Sequence, residues 1–311
     1  MPTKKKQVVV AAAQATPVFL DCKRTVEKAC DLIADAARRN ARLVVFPEAF
    51  VPAYPDWVWM VPPGDKPTLD ELYAELLANA VTVPDTATAA LCRAAKKARI
   101  HVAIGISERN AAASGASLYN SLLMIKDDGA ILGVHRKLVP TGGERLVWAP
   151  GDGASLRAFD TALGTIGGLI CWENYMPLAR FALYSAGVRI YLAPTWDYGE
   201  VWQSTVRHIA KEGGTFVISC CQPLRAADIP KRYRFRTLYA EGKDWINPGQ
   251  SCIVGPRGQL LAGPVEKKET LLLAELDESL VAGAKWLLDV AGHYARPDVF
   301  DFAVRRGETR W

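Results

Sequence analysis

The stretch Ile166-Gly167-Gly168-Leu169-Ile170-Cys171 constrains the fold most. It reads as a buried strand that stops at a cysteine, and Pro177-Leu178-Ala179-Arg180-Phe181-Ala182-Leu183 then reads as the start of a helix. A second apolar strand at 190–193 completes a β-helix-β unit. Such a unit needs parallel strands with a helix laid over them. The run Leu43-Val44-Val45-Phe46 shows no polar alternation, as expected of a strand covered on both faces.

The rest of the chain fits that frame. Strands are predicted at 7–13, 101–107, 119–126, 131–137, 156–160, 216–221, 252–254, 259–263 and 270–276. Asp128-Gly129 marks the turn of a hairpin. Helices are predicted at 25–40, 69–79, 86–98, 201–213 and 278–288. In the first, Val26, Cys30, Ile33, Ala34 and Ala37 share one face. Residues 53–67, 139–153 and 222–250 read as loops, the last long enough to be functional or mobile. No repeat or low-complexity linker divides the chain, so residues 1–311 read as one α/β domain of sheet layers covered by helices.

Composition excludes several function classes. Half the residues are hydrophobic and 23% are charged, enough for a large core. The net charge of +5 is scattered. It forms no basic stripe with interleaved aromatics, which argues against a nucleic-acid partner. Lys4-Lys5-Lys6 reads as a solvated tail, and Val8 to Ala13 as a core strand cut short by Gln14 rather than a signal segment. No apolar run is long enough for a membrane span. The seven cysteines show no paired spacing, which points to the reducing cytoplasm. His101, His135, His208 and His293 form no metal-ligand pair, so a metal site is not expected.

A cysteine at a strand end, before a helix, is a well-presented nucleophile near free backbone N–H groups. A bare thiol has a pKa of about 8.5 and needs a base or cation beside it. With no histidine suitably placed, the candidates are carboxylates and lysines at strand ends. Glu48 directly follows Leu43-Val44-Val45-Phe46-Pro47, and Lys137 closes Leu132-Gly133-Val134-His135-Arg136.

Phe46-Pro47-Glu48-Ala49-Phe50, Arg136-Lys137-Leu138-Val139-Pro140-Thr141 and Cys171-Trp172-Glu173-Asn174 resemble, in order and spacing, the Glu-Lys-Cys motifs of the nitrilase superfamily. The resemblance runs from about Val8 to Val304. It is nearest the nitrilase branch, through Cys171 to Leu178, Glu144-Arg145 ahead of Trp148, Gly151-Asp152-Gly153, and His293-Tyr294-Ala295-Arg296-Pro297-Asp298. It implies an α-β-β-α sandwich, stacking to αββα-αββα in a homodimer or larger homo-oligomer. The implied activity is hydrolysis of a small-molecule nitrile to a carboxylate and ammonia, without a cofactor. In it Glu48 is the base, Cys171 the nucleophile, Lys137 the electrophilic cation and Glu144 a helper of Lys137 or of the attacking water. Tyr54, Trp172, Thr195 and Trp196 match pocket positions, and the Trp172 N–H is a second donor. Gly142-Gly143 depart from the pattern, since many relatives carry bulkier residues there, often a histidine.

Each residue alone has an ordinary reading. Cys171 is a small buried hydrophobe, Glu48 and Lys137 are surface groups, Glu144 is an ion-pair partner of Arg145, and the tryptophans are core. Three motifs in register outweigh those readings. Glu173, so close to Cys171, is expected to hydrogen-bond beneath the turn. The competing functions are an amidase, a nitrile or cyanide hydratase on the same residues, and a non-catalytic scaffold.

Overall fold

The computed structural model describes residues 7–112, 114–239 and 244–307. In chain order the regular elements begin with β1 (Gln7–Gln14), α1 (Cys22–Arg38), β2 (Leu43–Val45), α2 (Lys66–Ala78), α3 (Thr86–Ala98) and β3 (His101–Arg109). Then come β4 (Leu118–Ile125), β5 (Ile131–Arg136), β6 (Phe159–Thr161), β7 (Gly164–Gly168), α4 (Pro177–Ser185), β8 (Ile190–Thr195) and α5 (Glu200–Gly213). The chain closes with β9 (Phe216–Cys221), β10 (Pro223–Arg225), β11 (Trp245–Val254), β12 (Leu260–Glu266), β13 (Thr270–Asp277) and α6 (Ser279–Lys285).

The strands form two sheets. One has the order β13-β1-β2-β3-β4-β5; the other runs β10-β11-β9-β8-β7-β6, with β12 on β11. Each strand's alternation decides what lies on either side. Val8, Val10 and Ala12 of β1, with Leu43 and Val45 of β2, meet Ile190, Leu192 and Ile218 of the second sheet. The alternate residues Ala11, Ala13 and Val44 pack instead with Ala29, Ile33, Leu91 and Ala95 of α1 and α3. Tyr191, Ala193 and Val217 do the same against α4 and α5. The layers are therefore α-β-β-α, as the resemblance implies. Burying each of the valines, leucines and isoleucines among them contributes about 1.5–3 kcal/mol.

Three expectations shift. First, α1 starts at Cys22, because the Asp21 carboxylate caps the Arg24 N–H at 2.9 Å. Its buried face is Thr25, Val26, Ala29, Ile33 and Ala36, whereas Cys30, Ala34 and Ala37 lie at its margins. Second, the strand expected at 156–160 is the short hairpin arm β6, because Thr161 to Gly164 makes the turn into β7. Third, the loop 222–250 is interrupted: β10 pairs with β11, which starts at Trp245. Its polar residues gave no strand period. The Lys4-Lys5-Lys6 tail lies outside the described residues. Among those described, no helix is long and apolar enough to cross a membrane.

Candidate active site

Glu48 sits just beyond β2, where Phe46 still donates to Ala103 O at 2.8 Å. The turn presses onto β3 at Gly105. A Cβ there would lie 2.2 Å from Pro47 O and 2.4 Å from Ala49 N, so only glycine lets the backbones approach. Lys137 follows β5, with its N–H on Asn120 O at 2.8 Å. Glu144 lies on the one-turn helix Gly142–Leu146. All three side chains turn inward and are buried.

Lys137 Nζ is 2.8 Å from Glu48 Oε1 and 2.8 Å from Glu144 Oε2. Asn120 Nδ2 also donates to Glu48 Oε1, at 2.7 Å. Tyr54 donates its hydroxyl to Glu144 Oε1 at 2.8 Å, and Thr141 N–H donates to Oε2 at 2.8 Å. Glu48 Oε2 is buried and, among the described residues, has no hydrogen-bond partner. A buried oxygen in that condition is rare and costly, and it calls for a function.

Cys171 heads the one-turn helix Cys171–Tyr175, which follows β7 after Leu169 and Ile170. Its φ of 51° lies in the left-handed region, at a cost of about 1–2 kcal/mol for a residue with a Cβ. The turn is held from below. Glu173 accepts from Ile170 N–H at 2.7 Å, from Leu138 N–H at 2.7 Å and from His135 Nε2 at 3.0 Å. Asn174 Nδ2 donates to Cys171 O at 2.7 Å, and Tyr191 donates to Asn174 Oδ1 at 2.8 Å. Glu173 thus has the place expected of it, under the turn and away from the reacting side.

The charges are coupled. Burial pushes the Cys171 thiol well above its usual range and Glu48 adds to this, while Lys137 opposes. Burial also raises Glu48, against the pull of Lys137 and with the help of Glu144. Burial works against the Lys137 ammonium, but Glu48, Cys171 and Glu144 outweigh it and the net shift is upward. One cation faces two buried carboxylates. Burial and the neighbouring carboxylates thus raise the proton affinity of both the thiol and Glu48.

The carbon-nitrogen hydrolase family model matches residues 9–285. The chain belongs to the carbon-nitrogen hydrolase family. Within this family it is 43% identical over 296 residues to an aliphatic nitrilase of Sinorhizobium fredii (strain HH103), covering 94% of each chain. It is 41% identical over 314 residues to the bifunctional nitrilase/nitrile hydratase NIT4B of Nicotiana tabacum, covering 98% of this chain and 86% of that one. Among solved structures, Saccharomyces cerevisiae Nit3, a member of branch 10 of the nitrilase superfamily, superposes with a TM-score of 0.70 at 20% identity, covering 93% of this chain and 97% of that one. This likeness speaks for the fold.

The expected pocket residues of this carbon-nitrogen hydrolase fall in different places. Tyr54 is buried against Glu144, and Thr195 Oγ1 donates to Cys171 Sγ at 3.3 Å. Trp196 stacks on Tyr54, ring centroids 4.5 Å apart. Trp172 turns its ring outward, 52% exposed, and donates from Nε1 to Asp197 Oδ2 at 2.9 Å. Sequence reasoning missed Asn120 and His135. Asn120 had a signal: it and Ser121 are polar residues inside the otherwise apolar strand β4. Among the described residues, no group of three or more His, Cys, Asp or Glu side chains is arranged to hold a metal.

Proposed function

We propose that the protein is a nitrilase, converting an organic nitrile to the carboxylic acid and ammonia through a covalent adduct on Cys171. The observation that carries this reading is Glu48. Its Oε1 is taken by Lys137 and Asn120, while Oε2 is buried and without a partner among the described residues, and the Glu48 charge acts on the thiol. Relatives named as nitrilases at 39–43% identity supply the nitrile.

Glu48 Oε2 takes the thiol proton as sulfur attacks the nitrile carbon. A C–S bond forms, one C≡N electron pair moves to nitrogen, and nitrogen takes up the proton to give a thioimidate. Lys137 and the Trp172 N–H stabilise the nitrogen as it becomes electron-rich. The leading N–H groups of a helical turn have no intrahelical partner, which suits the second role. Water adds to the thioimidate carbon, the C–N bond breaks and ammonia leaves. A second water cleaves the C–S bond of the thioester, releasing the acid and restoring the thiol. Glu144 holds Lys137 and receives the Tyr54 hydroxyl, which suits it to orienting Lys137 or a water. Residues 1–311 act as one catalytic domain in this reading.

The names of the tobacco relatives favour a second product. If the tetrahedral intermediate expels the thiol instead of ammonia, the product is an amide. The test is a panel of small nitriles with ammonia, acid and amide all quantified. Equimolar ammonia and acid are expected; amide as the main product would overturn the nitrilase reading in favour of a hydratase. Release of ammonia from amides alone would make the protein an amidase.

Assembly into a homodimer or larger homo-oligomer is supported by Leu178 and Val201 on α4 and α5, 71% and 73% exposed. A cytoplasmic setting is supported by seven free cysteines.

A further inference from the structure

His135 lies beneath the Cys171 turn and is buried. Its two ring nitrogens face different elements. Nε2 points to Glu173, 3.0 Å from Oε2 and 3.1 Å from Oε1, and Nδ1 points to the Ser155 carbonyl oxygen at 3.2 Å. A neutral imidazole carries one N–H, and its bare nitrogen needs a donor. Among the described residues neither side offers one. A carbonyl oxygen only accepts. The Ser155 hydroxyl, 3.4 Å from Nδ1, already donates to Asp152 O at 3.0 Å and accepts from Arg136 N–H at 3.3 Å. On the other side, Glu173 receives the N–H of Leu138 on Oε1 and that of Ile170 on Oε2, both at 2.7 Å. Donors converging on both oxygens of a carboxyl group favour its ionised form. A ring nitrogen almost equidistant from the two oxygens fits an N–H aimed between them.

Leu138 follows Lys137, and Ile170 precedes Cys171. Resting on the nitrile-hydrolase reading of the Cys171 site, we infer that His135 is a doubly protonated imidazolium and a positioning residue for the reaction: its charge keeps Glu173 ionised and centred, and through Glu173 it holds the backbone beside the ammonium and the backbone beside the sulfur. The carboxylates that act on the ring are Glu173, from the Cys171 turn, and Asp152, from the loop before β6; its partner on β4, Leu122, is uncharged. Burial works against a charged ring, but Glu173, the Ser155 carbonyl and Asp152 outweigh it, and the net shift is upward from 6.5. The charge is therefore full at low pH and lost as pH rises through the raised value. Once the ring is neutral, one of its nitrogens faces a buried acceptor without a proton, and the grip on Glu173 weakens.

The test reads the ring directly, by nitrogen-15 NMR of the whole protein carrying labelled histidine. Single substitutions of His101, His208 and His293 assign the His135 signals by elimination, so no His135 variant has to fold. Both ring nitrogens of His135 are expected to carry protons at neutral pH, and kcat for ammonia release from propionitrile to decline along the alkaline titration of that ring. A singly protonated ring at neutral pH would overturn the inference, and so would a kcat that stays level while the ring loses its proton. His135→Gln keeps a donor for Glu173 without the charge. In the folded variant kcat is expected to fall about tenfold to a hundredfold with KM nearly unchanged. An unchanged kcat, or a loss carried by KM, would count against a positioning role. Unaltered protein that turns over propionamide but no nitrile would sink the nitrile reading alone, and the same comparison on the amide would then decide the role of His135. Turnover of neither would sink both.

Discussion

The two sheets contribute different chemistry to the same pocket. The first sheet supplies charge: Glu48 beyond β2, Lys137 beyond β5, and Asn120 on β4 to fix the carboxylate. The second supplies the sulfur beyond β7 and, from β8, the Thr195 hydroxyl that touches it. The charged half is locked by short ionic hydrogen bonds, whereas the sulfur half is held by backbone geometry, a left-handed Cys171 over a network of amide contacts. Charged groups need partners to survive burial, while a thiol needs only to be aimed. The difference suggests that damage to the first half removes driving force and damage to the second removes alignment.

The largest effect expected is from Cys171→Ala. Ammonia release from any nitrile falls by about 10⁴-fold or more, while the circular dichroism spectrum stays native. Persistent ammonia release would break the division, because the sulfur half would then be dispensable. Under the proposed mechanism Glu48→Gln keeps the shape and removes the base, with an expected loss of about 10²–10⁴-fold in kcat. The same residue governs pH dependence. Its raised pKa means that the base is protonated, and activity lost, at a higher pH than for an ordinary carboxylate at 4.5. The acid limb of kcat/KM should therefore fall above pH 4.5, and a limb below that value would show that another group is titrating.

Glu173→Gln cuts the joint between the halves. A neutral amide cannot accept from His135 and two backbone N–H groups as the carboxylate does, and breaking a buried ionic pair costs about 3–5 kcal/mol. Urea unfolding should report a loss of that order, and no change in midpoint would show that Glu173 does not hold the halves together. Thr195→Val is the mildest. Removing one hydrogen bond worth about 0.5–1.5 kcal/mol slows kcat roughly threefold to tenfold. A drop as large as that of Glu48→Gln would mean the hydroxyl moves a proton instead of aiming the sulfur.

Much of this arrangement was legible in the sequence because strand ends leave marks. Strands that stop at Pro47, at Lys137 and at Cys171 locate three side chains on the rims of sheets, and three motifs in the order of a known family join them. That the sheets are covered was legible for a similar reason, since a strand without polar alternation is buried on both faces, whereas the α-β-β-α order came only with the family resemblance. The contacts between runs were not legible. Asn120 lies 72 residues from Glu48, and Tyr54 lies 90 from Glu144. Nothing periodic in one strand encodes a partner in another. Trp172 illustrates the limit, since its place after the cysteine is visible in the sequence but the outward turn of its ring is set by Asp197. In the same way, the polar residues of 222–250 hid β10 and the start of β11, whose pairing comes from a partner strand rather than a pattern of their own.

Glu173 has a consequence for how this enzyme can change. One carboxyl group touches Leu138, directly after Lys137, and Ile170, directly before Cys171. The backbone beside the ammonium and the backbone beside the sulfur are thus tied across a gap one side chain long, like plates held by a single spacer. Volume-conserving swaps deeper in the inter-sheet core, at Leu192 or Ile218 for example, are then free to vary without altering that gap. The interior of such a scaffold can drift over many generations while its reactive atoms stay in register.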